Sequence, residues 1–416
     1  MSDESSRIVR LYLTLTAVST LAASLIWGVN TLFLLDAGLS TAGAFAANAF
    51  FTAGQVVFEI PTGVVADTRG RRTSYVLGAA TLLVSTLAYL GLWHLEADLW
   101  AWALASALIG LGFTFFSGAV EAWLVDALVA TSYDGDLESV FARGQVVAGV
   151  SMLAGSVAGG ALAQLTNLGA PYIVRAVLLG VVVVIAVVAM RDEGFSPRRG
   201  DSPMAELRSL IGASLDHGWR NPPVRWLMLA APFTSGAGVF AFYAMQPYLL
   251  ELYGDDQAFG IAGLAAAIVA GAQIAGGFLV PIIRRVFRRR TEALMTAVAA
   301  SVVALAGLAV VTRFWLALAL LSVWAMAFAV SMPIRQAYVN GVIPSEQRAT
   351  VLSFDALMGS SGGVVAQPAL GRAADVWSYS ASYALTSIIT AAALPFLGLA
   401  RRERSPSDPI VQGEAS

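Results

Sequence analysis

The chain has 416 residues, of which 57% are hydrophobic and only 12% charged, and its mean hydropathy is +0.72. A soluble protein would carry about 25% charged residues, so the composition excludes an ordinary globular domain and points to a membrane protein. A net charge of −2 offers no basic surface to nucleic acid. The absence of cysteine and lysine rules out disulfides, thiolate catalysis and lysine Schiff bases, and the two histidines, His94 and His217, are read as far apart in loops, which leaves little for a zinc site.

Apolar stretches of roughly 20 residues, the length that carries a helix across a bilayer, recur along the whole chain. The first, from Leu11 to about Leu35, is too long for a signal-peptide core and reads as a retained span. Twelve spans are predicted, near 9–35, 42–66, 73–93, 99–126, 144–165, 171–190, 225–249, 259–282, 292–312, 314–340, 350–371 and 379–400. The expected fold is therefore an all-α membrane protein with twelve transmembrane helices in two pseudo-symmetric six-helix bundles. The expected parts are an N-terminal bundle over 1–190, a linker over 191–224, a C-terminal bundle over 225–402, and a disordered tail over 403–416. Within the linker, SPMAELRSLIGASLDHGW places Leu207, Leu210, Ile211 and Leu215 on one face, as in an amphipathic helix lying on the membrane surface.

Arginine placement predicts orientation. Arg7, Arg10, Arg69, Arg71, Arg72, Arg143, the linker arginines, Arg284 to Arg290, Arg348 and Arg401 to Arg404 fall at one end of the spans. The opposite loops LDAGLST, WHLEADLW, LTNLGAP and ELYGDDQ have none; only Arg313 and Arg372 fall on that side, with Arg175 just inside span 6. The positive-inside rule then puts both termini and the linker in the cytoplasm, here of a prokaryotic inner or plasma membrane. The halves also repeat each other. EAWLVDAL closes span 4 and RQAYVNGV closes span 10; Arg143 and Arg348 follow; then come the small-residue pairs Gly155 with Gly159 and Gly359 with Gly363. Internal repeats of this kind mark secondary transporters, and glycine pairs let helices approach closely.

Between spans 2 and 3 stands GVVADTRGRR, with Gly63, Asp67, Gly70, Arg71 and Arg72 in the spacing GxxxDxxGRR. In this context the loop resembles the signature of the major facilitator superfamily, and the chain resembles that family's bacterial drug-efflux-like branch. The second half has a worn copy, GFLVPIIRRVFRRR, with Pro281 where the acid would stand. The resemblance implies alternating access and a cavity lined by spans 1, 4, 7 and 10. The loop becomes part of a cytoplasmic gate, with Asp67 facing the start of span 11 and Arg71 or Arg72 paired with Asp126. The family's antiporter pattern in span 5 lacks its proline here, and Ser106 replaces the span 4 arginine.

Deeper in the membrane, span 2 carries Asn48, Thr52, Gln55 and Glu59 within an arc of about 60°. Glu59 lies about 12 Å further in than Asp67, where a carboxyl group must be protonated, paired or wet. Ser106, Gly110, Ser117 and Glu121 fall along one face of span 4, suited to a cavity wall. Span 10 offers Arg335, Gln336 and Asn340, and a buried Arg335 needs a carboxylate from Glu121, Glu59 or Asp355. These residues are the candidates for the proton and substrate pathway, against a static ion-pair network as the alternative.

The expected function is proton-coupled export of small apolar or amphiphilic compounds, with a proton-coupled importer of a metabolite or a non-transporting receptor or scaffold as alternatives. Partners are the substrate, protons and the bilayer, the chain acting as a monomer without cofactor. No enzyme motif and no Walker A sequence is present. Because the chain has no cysteine, topology is directly testable. A membrane-impermeant maleimide should label Asp98→Cys in intact cells and Ser6→Cys only after lysis; the reverse pattern would invert the orientation.

Overall fold

The computed structural model describes residues 3–116, 118–195, 212, 219–343 and 348–410. Ten helical stretches among them are long and apolar enough to cross a membrane. Among the described residues the only β-structure is an isolated antiparallel bridge between Arg289 and Pro409. The stretch 202–219, predicted to hold the amphipathic linker helix, lies, but for residues 212 and 219, outside the described residues.

The chain divides into two compact units. Unit 1 comprises Met1–Leu39, Phe50–Glu206 and Gln257–Ala267; unit 2 comprises Ser40–Ala49, Leu207–Asp256 and Ile268–Ser416. In unit 1 the helices are α1 (Asp3–Ser24), α2 (Asn30–Asp36), most of α3 (Thr41–Arg69), α4 (Arg71–Leu95), α5 (Leu99–Phe116), α6 (Ala119–Ala130), α7 (Leu137–Leu165) and α8 (Ala170–Ala189). His94, expected in a loop, closes the last turn of α4. Unit 2 holds α9 (Pro222–Ala231), a π-helical turn (Pro232–Gly236), α10 (Ala237–Tyr253), most of α11 (Phe259–Val286), α12 (Arg290–Leu308), α13 (Phe314–Asn340), α14 (Arg348–Val376), α15 (Tyr379–Ala391) and α16 (Ala393–Arg402).

Each unit is held by an apolar core near its arginine-rich end. In unit 1 Tyr12, Leu15, Tyr75, Trp123, Leu124 and Val182 are buried together. In unit 2 the counterpart contains Leu227, Met228, Leu294, Ile334, Tyr338 and Leu397. The outer faces are apolar too. α8 buries Tyr172, Arg175, Leu179, Val182 and Ala186, yet exposes Val177, Val181, Val184 and Val188. A helix apolar all round, with a bare valine stripe, is built for lipid.

Two spans expected to be continuous are broken in unit 1. Span 1 stops at Ser24, runs through turns over 25–29 and resumes at Asn30. The cause is the packing of α7. A Cβ on Gly155 would strike Ser24 Oγ, and one on Gly159 would strike the Leu25 carbonyl. α7 thus presses into the backbone of span 1, where Ser24 Oγ donates to Thr20 O at 2.8 Å and Ser151 O at 3.2 Å. Span 4 breaks between α5 and α6, where Gly118 takes φ +66°. In unit 2 span 7 is interrupted by the π-turn instead. A Cβ on Gly362 of α14 would meet the Pro232 carbonyl, and one on Gly359 would lie 3.2 Å from Ser235 Cβ.

The segment after α16, expected to be disordered, is docked over Ser405–Ile410: Ser405, Ser407 and Asp408 are all buried. Residues 411–416 lie outside the described residues.

These contacts separate two kinds of glycine. Gly159→Ala should cost about 1–3 kcal/mol, because backbone must move. Gly63→Ala, whose Cβ enters open space, should change stability by no more than about 0.5 kcal/mol. Thermal unfolding of the purified variants checks both, and an unshifted Gly159→Ala melt contradicts the close approach.

Candidate functional site

The loop between α3 and α4 is formed by one residue, Gly70, with φ +104° and ψ 153°. That backbone region is open essentially only to glycine. The turn brings Asp67 Oδ1 to 2.6 Å from Arg71 Nη1, and Arg71 Nε lies 3.9 Å from Asp126 Oδ2 on α6. All three side chains are about a quarter to a third exposed, so each pair contributes up to about 1 kcal/mol; their value lies in orienting one another.

Arg72 has a different task. Its Nη2 donates to Val187 O at 2.6 Å and its Nε to Ala186 O at 3.4 Å, at the C-terminal end of α8, where helix carbonyls carry partial negative charge. Of the two arginines offered to Asp126 by the sequence, Arg71 is the one placed beside it. Gly63 is exposed on α3. The first three side chains of α14, the helix expected opposite Asp67, lie outside the described residues.

Within the spans, Asn48 and Thr52 are buried at 3% and 4% exposure, while Gln55 and Glu59 are half-buried. Ser106 and Gly110 do not line a cavity wall. Ser106 is fully buried with its hydroxyl 2.5 Å from Tyr89 OH, and a Cβ on Gly110 would come within 2.9 Å of Gln55 N. α5 therefore closes onto α3 and α4 at that level. Glu121 is exposed, in the first turn of α6 just beyond the break at Gly118, within electrostatic reach of Tyr12 and Tyr75. The N-terminal amides of a helix favour a negative charge there. The side chain of Ser117 lies outside the described residues.

In unit 2 the partner of Arg335 is settled. Its guanidinium takes the Asp355 carboxylate in a two-pronged pair, Nε to Oδ2 at 3.0 Å and Nη2 to Oδ1, and Nη2 also donates to Leu227 O at 2.8 Å. Glu121 and Glu59, the other acids considered, belong to unit 1. Both partners are about seven-eighths buried. The pair ties α13, α14 and α9 together one turn before the π-turn. Beside it a cavity is lined by Thr234, Ser235, Ser301, Trp324, Phe328 and Arg335. Gln336 is exposed and Asn340 half-buried at the end of α13.

Two residues of comparable standing escaped sequence reasoning. Arg175, 1% exposed, donates from Nε to Thr86 Oγ1 at 3.1 Å and from Nη1 toward Ala22 O and Ala23 O, fastening α8 to the end of α1 before its break. Its signal was a lone arginine in an otherwise apolar span. Asp375, beyond the predicted end of span 11, accepts from the backbone N–H groups of Thr41 and Ala42, each at 2.9 Å, at the start of α3 in unit 2. Burial pushes its carboxyl up, but these hydrogen bonds outweigh it and hold the group below the usual carboxylate range.

The sequence signature of the Major Facilitator Superfamily matches residues 12–290 and again 274–415. The chain belongs to that superfamily. No curated protein sequence matches it. Among solved structures, this superfamily member resembles a point-mutant form of the nucleoside transporter NupG, with a TM-score of 0.77, 14% identity, and coverage of 94% of this chain and 99% of that one. A bacterial homologue of the human lysosomal transporter Spinster gives a TM-score of 0.68 at 15% identity over 97% and 98%. The POT family transporter PepTSo gives 0.72 at 12% over 95% and 98%. At such identities the likeness is one of fold. The superfamily match is what makes the chain a transporter by family rather than an enzyme.

The Arg335–Asp355 pair has a sharp signature. Asp355→Asn alone leaves a buried guanidinium without its carboxylate and should cost about 3–5 kcal/mol. Arg335→Gln with Asp355→Asn should recover most of that loss in a thermal-unfolding cycle. Additive losses would show that the two groups do not act as a pair.

Proposed function

We propose that the chain is a secondary active transporter that exports small apolar or amphiphilic compounds in exchange for protons, by alternating access between two six-helix bundles. In this reading it has twelve spans: the ten apolar stretches, the broken span α1–α2, and α14, 29 residues long. Both termini are cytoplasmic, in a prokaryotic inner or plasma membrane. The loop carrying Gly63, Asp67, Gly70, Arg71 and Arg72, with Asp126, is the cytoplasmic gate.

The observation that carries the reading is that spans 1 and 7, at equivalent places in the repeat, both depart from α-helix inside the membrane. Span 1 does so over 25–29 and span 7 over 232–236. Interrupted spans expose backbone polar groups where a transporter needs to hold a ligand or bend. Charged groups lie close along the chain and the fold: Arg175 before the first interruption, and Arg335 with Asp355 beside the second. The aromatic surface of Trp324 and Phe328 supports an amphiphilic cargo.

Coupling requires a group whose protonation binds the two conformations unequally. Glu121 and Glu59 are the acids we assign: the first is exposed at the head of α6, the second half-buried on the polar face of α3. Asp355 is committed to Arg335 and holds unit 2 together instead.

In proteoliposomes with an imposed pH gradient, the fluorescent cations ethidium and Hoechst 33342 should be moved by the wild type and collapse the gradient as they go. Glu121→Gln or Glu59→Gln should abolish gradient dependence while dye binding persists. Full coupling in both variants would refute the assignment of the acids.

A further inference from the structure

The second arginine loop, RRVFRRR, lacks the acid of the first, with Pro281 in its place. A carboxylate from the segment after α16 nevertheless reaches the helix that follows this loop. Asp408, 2% exposed, accepts from the Thr291 backbone N–H at 2.9 Å and from Thr291 Oγ1 at 3.0 Å, at the first turn of α12. The segment around it is bound through backbone hydrogen bonds flanking the Arg289–Pro409 bridge. Arg290 N donates to Asp408 O at 2.8 Å and Ile410 N to Arg288 O at 2.9 Å. Ser407 Oγ donates to Tyr338 O on α13 at 2.7 Å, and Arg290 Nη1 donates to Pro409 O at 2.9 Å.

Unit 1 contains the same device. Just past α8, Asp192 accepts from the Arg72 backbone N–H at 2.8 Å, at the first turn of α4. A Cβ on Gly70 would collide with that carboxylate, so the glycine makes room for it. Trp123 on α6 donates to Arg191 O at 2.7 Å and anchors the segment. In each unit, then, the residues following the last helix clasp two others. They bind one by its backbone amides through an aspartate, and the other through the aromatic residue Trp123 or Tyr338 or its carbonyl. A carboxylate at a helix N-terminus both satisfies orphan amides and meets the positive end of the helix dipole.

We propose that Asp192 and Asp408 are positioning residues of the two arginine loops, with residues 405–410 serving as the strap of the second loop as the segment around Asp192 is of the first. Neither aspartate touches the cargo. Each holds the backbone from which the loop arginines project, so the straps act on the rate at which the inner end opens and closes. That functional part rests on the transporter reading above; the structural part does not.

The test has two separable arms on the full-length protein. In hydrogen–deuterium exchange, Asp408→Ala should speed exchange in peptides over 288–294 about tenfold, the factor expected for loss of an N-cap. Peptides over 70–75 should be unaffected. Asp192→Ala should do the converse, and Asn at either position, which still accepts, should restore protection to within about twofold. In reconstituted vesicles scored with ethidium, each Ala variant should lower the maximal rate severalfold with KM unchanged, and each Asn variant should recover it. Unaltered local exchange overturns the proposal, as does exchange raised throughout the protein. Altered KM at constant maximal rate overturns the positioning role. If the wild type moves no dye, the transport reading fails while the exchange arm still decides the straps.

Discussion

The bilayer core offers no water to a backbone amide or carbonyl, and that constraint shapes two interruptions of spanning helices among the described residues. Span 1 leaves α-helix over 25–29 and span 7 over 232–236. Each is answered by a glycine-bearing helix pressed against it: Gly155 and Gly159 of α7 in one case, Gly359 and Gly362 of α14 in the other. At the first interruption, a side chain takes up carbonyls at the end of the broken helix, as Arg175 Nη1 does with Ala22 O and Ala23 O. Without the glycines the backbones could not approach, and the interruptions would expose polar groups to lipid.

The same economy governs the charges. Arg72 is spent on the carbonyl end of α8, Arg175 on the carbonyl end of α1, and Asp192, Asp375 and Asp408 on the amide ends of α4, α3 and α12. Among the ion pairs of the described residues the most buried, Arg335 with Asp355, also reaches a backbone carbonyl at Leu227. Completing helix ends is thus a recurrent use of charge in this fold, beside side-chain pairing. Glu121 stands apart, exposed at the head of a helix that begins in mid-span.

Much of this was legible along the chain. Apolar stretches of bilayer length announced the helices, and GVVADTRGRR announced the family and offered Asp126 an arginine, though not the pair of Asp67 with Arg71. The interruption of span 1 was not legible, because an apolar run reads as helix whether or not a neighbour intrudes; that of span 7 begins at Pro232, a residue type that favours a kink. Ser106 and Gly110 looked like a cavity wall for a related reason. A small polar face on a helix serves a cavity or a tight contact equally well, and here Tyr89 and the backbone of α3 fill it. The tail over 403–416 is expected to be disordered from the sequence; what orders Ser405–Ile410 is a set of partners far back along the chain, in α12 and α13.

By itself the sequence determined what depends on composition and local spacing. It settled that the chain lives in lipid, where most helices run, which loop carries the superfamily's signature, and that Arg335 would need an acid. Tertiary structure alone decided which acid that is, which arginine lies beside Asp126, where spans break, and that both arginine loops are closed by aspartates from distant segments. Local patterns report solvent and periodicity, whereas partner choice depends on which helix ends and backbone groups three-dimensional packing brings within about 3 Å.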